Sequence, residues 1–141
     1  MMQIKLAETD EEINHCFGVM VQLRPHLTAE EFLRRVKLQQ PEGYLLAFVA
    51  DDGEVKSVAG YRIQNMLAHG KFLYVDDLVT DDNSRSKGYG DALFDWLVQR
   101  AMDENCESLQ LDSGVQRFSA HRFYLRKRME IRSHHFSVAV G

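Results

Sequence analysis

The stretch Arg85-Ser86-Lys87-Gly88-Tyr89-Gly90 has the composition of an anion cradle. It lies between a run with strand character and a segment with helical spacing, so its amides open a helix. A helix start leaves several N–H groups without partners and carries partial positive charge, which attracts phosphate. Gly88 and Gly90 lack side chains and let an anion come close to the backbone. Arg85 and Lys87 add charge at the same end, so a diphosphate is the ligand this chemistry suits. Two other phosphate loops are excluded by spacing. There is no G-x-x-x-x-G-K-[ST], and Leu93 stands where the third glycine of a dinucleotide fingerprint would fall.

The elements that must position this loop can be read on either side of it. Residues 4–7 read as an opening strand. Thr9-Asp10-Glu11-Glu12 is a capping-box pattern, which predicts a helix over 13–23. A second such pattern, Thr28-Ala29-Glu30-Glu31, opens a helix with Phe32, Leu33, Val36 and Leu38 as its apolar members. Residues 44–50 form a short apolar run bounded by turn residues, the mark of a buried strand. Asp51-Asp52-Gly53 signals a hairpin, and 55–66 and 71–80 follow as strands. The helix after the loop covers 88–104, with Leu93, Trp96, Leu97, Arg100 and Ala101 on one face. A strand at 108–111, a helix at 119–127 and one or two closing strands over 129–140 complete the chain. The order predicts one mixed α/β domain over residues 1–141, with no repeat or linker.

Bulk properties narrow the partners. A 141-residue chain with 45% hydrophobic and 27% charged residues can bury a core and is globular rather than disordered. Net charge of −4 argues against a nucleic-acid surface and leaves cationic substrates open. No run approaches the roughly 18 apolar residues of a membrane span, and the N-terminus lacks an apolar signal core. Cys16 and Cys106 fit no metal or redox spacing, so no metal is expected and a reducing, cytoplasmic location is.

Two motifs together carry a family resemblance. Asp76-Asp77-Leu78-Val79-Thr80 followed by Arg85-x-x-Gly88-x-Gly90 resembles the GNAT N-acetyltransferase superfamily, whose mark is a strand followed by [QR]-x-x-G-x-[GA]. Downstream, Ala120-His121-Arg122-Phe123-Tyr124-Leu125-Arg126-Lys127-Arg128-Met129-Glu130 is similar to the family's A-x-x-x-Y-E-K-x-G-F-E. The resemblance implies a single-domain acyl-CoA N-acyltransferase fold, a mixed and mostly antiparallel central sheet flanked by helices. It implies transfer of an acetyl group from acetyl-CoA to a primary amine of a small molecule or peptide. The backbone of Leu78, Val79 and Thr80 would hold the pantetheine arm, and the amides of Arg85, Ser86, Lys87, Gly88, Tyr89 and Gly90 the pyrophosphate. Tyr124 would protonate the departing thiolate. By analogy, a homodimer would form through the C-terminal strands. The chain departs from the pattern at Arg128 and Met129, and at Arg117, where an asparagine often stands seven residues before the tyrosine.

Acyl transfer from a thioester needs a neutral amine, a donor for the developing oxyanion and a proton for the leaving group. Lysine-like amines have a pKa near 10.4, so a carboxylate must take a proton, directly or through a water. By resemblance Asp76 is the first choice and Asp77 the alternative; a histidine or water alone stays open. Strand alternation predicts that only one of the two aspartates faces the cleft. An irregular strand near Leu78 or Val79 would offer the oxyanion amide. A phenol with pKa near 10 can protonate a thiolate whose acid has pKa near 8.5. The connection at 23–27 lies along the acceptor cleft by resemblance, or is an ordinary helix link. The alternative function is a non-catalytic acyl-CoA-binding sensor or regulatory module, which Arg117 keeps open.

Overall fold

A strand apolar at successive positions has to be covered on both faces, and β2 (Leu45–Asp51) is apolar from its start through Ala50. In the computed structural model, which describes residues 1–141, Leu46 and Phe48 enter one core with Ile13, Met20, Phe32 and Val36 of the early helices. Ala47 and Val49 are also buried, and alternation puts them on the opposite face.

The Asp-Gly signal holds. Asp52 (φ 53°) and Gly53 (φ 78°) both take left-handed backbone, and the turn joins β2 to β3 (Glu54–Met66). The sheet order is β1-β2-β3-β4-β5, with β1 at Met2–Leu6 and β4 at Gly70–Thr80. The first three contacts are antiparallel. Glu107 N–H donates to Lys71 O at 2.7 Å, joining the start of β5 (Ser108–Leu111) to the start of β4. The two therefore run the same way, and the sheet is mixed. Helix α4 (Tyr89–Asp103) is their crossover, burying Leu93, Phe94, Leu97 and Ala101.

The capping box also forms. Thr9 Oγ1 accepts from Glu12 N–H at 3.1 Å, and Glu12 Oε1 accepts from Thr9 N–H at 3.1 Å. The single helix expected over 13–23 is two, α1 (Asp10–His15) and α2 (Phe17–Leu23). At the junction the Cys16 N–H bonds back three residues to Ile13 O, a tightened turn that breaks the four-residue ladder. Helix α3 (Ala29–Gln39) is capped by Thr28.

The chain forms two compact units, Met1–Gln110 and Leu111–Gly141. The second contains α5 (Phe118–Arg126). The closing strands expected over 129–140 are absent, and residues 129–141 have no helix or strand. Phe136, Val138 and Val140 alternate as a strand would, yet each is more than 80% exposed. An extended segment without a hydrogen-bonded neighbour gains no ladder, so the pattern alone forms no strand.

Candidate active site

Strand β4 does not keep its alternation. Gly60 pairs with Asp77 and Tyr61 with Val75, so Asp76 is an extra residue in β4, a bulge. The bulge reverses side-chain parity. Before it, Tyr74 and Asp76 face a cavity of about 390 Å³; after it, Asp77 faces the same cavity and Val79 enters the core under α1–α3. The expectation that only one aspartate reaches the cleft is corrected, because alternation holds only in an unbroken strand.

Each carboxylate is held by a guanidinium. Arg62 donates to both oxygens of Asp76, at 3.0 and 2.8 Å, with 14% and 24% of the two side chains exposed. Arg24 donates through Nε to Asp77 Oδ1 at 2.9 Å and through Nη2 to the Asp76 carbonyl at 3.0 Å. Tyr44 O–H donates to Asp77 Oδ2 at 2.8 Å. Gly60 makes this bond possible, since a Cβ there would fall on the Tyr44 hydroxyl and 2.7 Å from Asp77 Oδ2. Burial lifts the Asp76 carboxyl above its ordinary range against the pull of Arg62, and the Asp77 charge adds to the rise. Burial also pushes the Tyr44 phenol well up, with Asp77 reinforcing it, so Tyr44 stays a donor.

Met20, Arg24, His26 and Leu27 bring the end of α2 and the following connection to this cavity, and α3 adds Arg35 and Gln39. The segment 23–27 is therefore cavity wall rather than a plain link. Tyr44 and Arg62 went unrecognised in the sequence, and Arg24 was read only as part of the 23–27 connection, because nothing marks a lone tyrosine or arginine as a partner for a distant aspartate. Gly60 did leave a signal: a glycine inside a strand pattern marks a bulge or a close approach, and here it marks both.

Beyond the bulge, β4 runs to Thr80 and leads through a short 3-10 turn into the loop. Asp81 N–H bonds to Lys56 O of β3, so alternation turns the Val79 amide toward β3 and the Leu78 and Thr80 amides away from it. Of the two proposed oxyanion donors, only the Leu78 N–H is thus directed off the ladder. The four-residue β5, starting beside Lys71, is too short to pair with this far end of β4.

In the loop, Ser86 (φ 65°) and Gly88 (φ 86°) take left-handed backbone on either side of Lys87, which does not. Such alternation turns successive amides into one concavity, an anion nest. Gly88 caps α4 without a side-chain bond, leaving the first-turn amides directed outward. A Cβ on Gly88 would meet nothing within 4 Å, so the surface there is open. Tyr89 anchors the loop by donating to Asp51 Oδ2 at 2.8 Å, and Arg85 pairs with Asp82 at 2.8 Å. These groups fit a pyrophosphate: the amides of residues 85–90 would hold it, and the backbone groups of Leu78 and Thr80 would be available to an adjoining pantetheine.

In the second unit, Tyr124 sits on α5 with its ring 5.7 Å from that of Phe123. Burial raises its phenol pKa, and Arg117, in the position of the family's asparagine, works against the rise. Tyr124 is therefore protonated at neutral pH. Two histidines of this unit have engagements of their own: His121 Nε2 bonds with Gly114 O at 2.8 Å, and His135 lies 3.8 Å from Asp112. Cys16 is fully buried and its thiol is pushed up to about 12, which excludes it as a nucleophile.

Comparison with known proteins decides the class of chemistry. Residues 6–129 match the Acetyltransferase (GNAT) family. The chain belongs to that family. It is 33% identical over 128 residues to YhdJ, an uncharacterized N-acetyltransferase of Bacillus subtilis, covering 90% of each protein. It is 30% identical over 77 residues to the aminoalkylphosphonate N-acetyltransferase of Salmonella typhimurium, 54% of this chain and 50% of that one. The fold matches that of the aminoglycoside N-acetyltransferase AAC(6')-Iy in complex with CoA, with a TM-score of 0.85 over 99% of this chain and 95% of that one, at 13% identity. This GNAT member is an acetyl-CoA-dependent N-acetyltransferase, with acetyl-CoA as its cosubstrate.

Proposed function

We propose that this GNAT enzyme acetylates the primary amine of a small molecule seated in the cavity of Tyr44, Asp76 and Asp77. The observation that carries the reading is the bulge at Asp76, which brings both carboxylates to one cavity on the strand that leads into the anion nest. A cavity of about 390 Å³ is at the small end for ligand sites, which favours a small acceptor over a protein one.

Asp76 takes the proton from the acceptor ammonium, directly or through a water. Its raised pKa makes it a stronger base than a free aspartate, and its oxygens keep lone pairs beyond those given to Arg62. Asp77, fixed by Arg24 and Tyr44, holds charge beside it. The Leu78 N–H serves the developing oxyanion, and Tyr124 gives its proton to the leaving thiolate. One N-acetyltransferase domain over 1–141 is the organisation we propose, supported by a family match that runs through both compact units. Two free cysteines fit a reducing cytoplasm. The exposed alternating residues of the C-terminal segment support a homodimer in which that segment finds a strand partner on a second copy.

The test is thiol release from acetyl-CoA by the purified full chain across a panel of small amines, with the product mass measured. Thiol release matched by acetylated amine is expected. Coenzyme A binding without release on any amine would leave the protein a sensor.

A further inference from the structure

A cavity built only to attract an ammonium group would show uncompensated carboxylates. This one does not. Asp76 is matched by Arg62 and Asp77 by Arg24, while Glu31 is shared between Arg34 and Arg35. Arg34 holds Glu31 through both Nε and Nη2, at 3.0 and 2.6 Å. Arg35 reaches it through Nε alone, at 2.9 Å, and is itself a cavity-lining residue. Arg24 and Arg35 thus line the cavity together with Asp76 and Asp77, while Glu31, the carboxylate that Arg35 holds, is shared with Arg34 and is not part of the lining.

The geometry also leaves donors to spare. A guanidinium has five N–H groups. Arg35 commits only its Nε–H, so both terminal nitrogens of this half-exposed side chain can reach a ligand. Arg24 commits two N–H groups and keeps three. His26 stands in the same wall and donates a ring N–H in either charge state. Planar guanidinium forks match the oxygens of phosphonates, phosphates and carboxylates in paired hydrogen bonds.

We infer that the acceptor is an amine carrying an anionic group on the same small molecule, its ammonium end at Asp76 and Asp77 and its phosphonate, phosphate or carboxylate end at Arg35 and Arg24. This rests on the acetyl-transfer reading and adds the substrate class. A diamine or polycationic amino sugar of the same size sets its second cation against the guanidiniums of Arg35 and Arg24 instead, and like charges in a shared cavity repel.

The experiment is a matched series on one carbon chain: an aminoalkyl phosphonate, an aminoalkyl phosphate, an amino carboxylate, an amino alcohol and a diamine. kcat/KM is read by thiol release, and equilibrium binding to the full chain by calorimetry. The anionic members are expected to exceed the diamine and the amino alcohol at least tenfold in both readouts. Their order identifies the anion: phosphonate and phosphate lead for a dianion site, carboxylate for a monoanion site. Arg35→Gln is expected to raise KM for the anionic members about tenfold with less effect on kcat, and Arg35→Lys to restore part of it. Arg35 lies on an exposed helix face, so these variants should fold, which circular dichroism checks. A diamine turned over and bound as well as the anionic amines overturns the inference while leaving acetyl transfer standing. If no amine is turned over, transfer itself fails, and the calorimetric ranking still decides the anion preference.

Discussion

Asp76 gains basicity from burial, the same property that makes its charge costly, and Arg62 keeps that charge tolerable. As the proposed base it must be deprotonated to act, so activity is expected to fall as pH drops through its pKa. Because that pKa is raised, the fall begins above the range of a free aspartate near 3.9. Asp76→Asn is expected to lower kcat/KM about 100-fold and to flatten this acid limb, read from pH–rate profiles of both proteins. Tyr124 is the opposite case. Burial raises its pKa and keeps the proton in place for donation. Tyr124→Phe should lower kcat by about 100-fold with little change in coenzyme A affinity, measured by steady-state kinetics and calorimetry. Unchanged turnover would remove its role as acid.

At the scale of elements, one irregularity in β4 arranges the proposed acceptor side and one uncapped helix the proposed cofactor side. The bulge at Asp76 and the missing side chain at Gly60 act together, since the space without a Cβ holds the Tyr44–Asp77 hydrogen bond. Gly60→Ala should break that bond, costing about 1–3 kcal/mol of stability and raising the acceptor KM, checked by denaturant unfolding and kinetics. Gly88→Leu tests the nest. Its left-handed φ imposes a strain of roughly 1–2 kcal/mol on any other residue. The new side chain would also occupy the open approach to the amides, so the Kd for coenzyme A should rise at least about tenfold. An unaltered Kd would remove the cradle.

At the scale of the whole molecule, the C-terminal segment carries the pattern of a strand without forming one. Phe136, Val138 and Val140 have the period of a half-buried strand, yet they are exposed in the single chain. A second copy would supply the missing ladder. Light scattering should find a dimer at micromolar concentration, and removing residues 131–141 should convert it to monomer. A full-length chain that stays monomeric would discard this assembly.

The sequence by itself determined the elements whose causes are local. The capping box at Thr9 and Glu12, the Asp52-Gly53 turn and the glycine loop before α4 each depend on residues within five positions of one another. The family motifs are local strings too, which is why the acetyl-transfer chemistry was legible. Tertiary structure decided the cavity proposed for the acceptor, because Arg24 and Tyr44 lie 53 and 33 residues from Asp77, the partner they hold. It also decided that both aspartates face that cavity, since a bulge is a mismatch between two strands and belongs to neither alone. The closing strands failed for the same reason, as strand periodicity becomes a strand only where a partner edge exists.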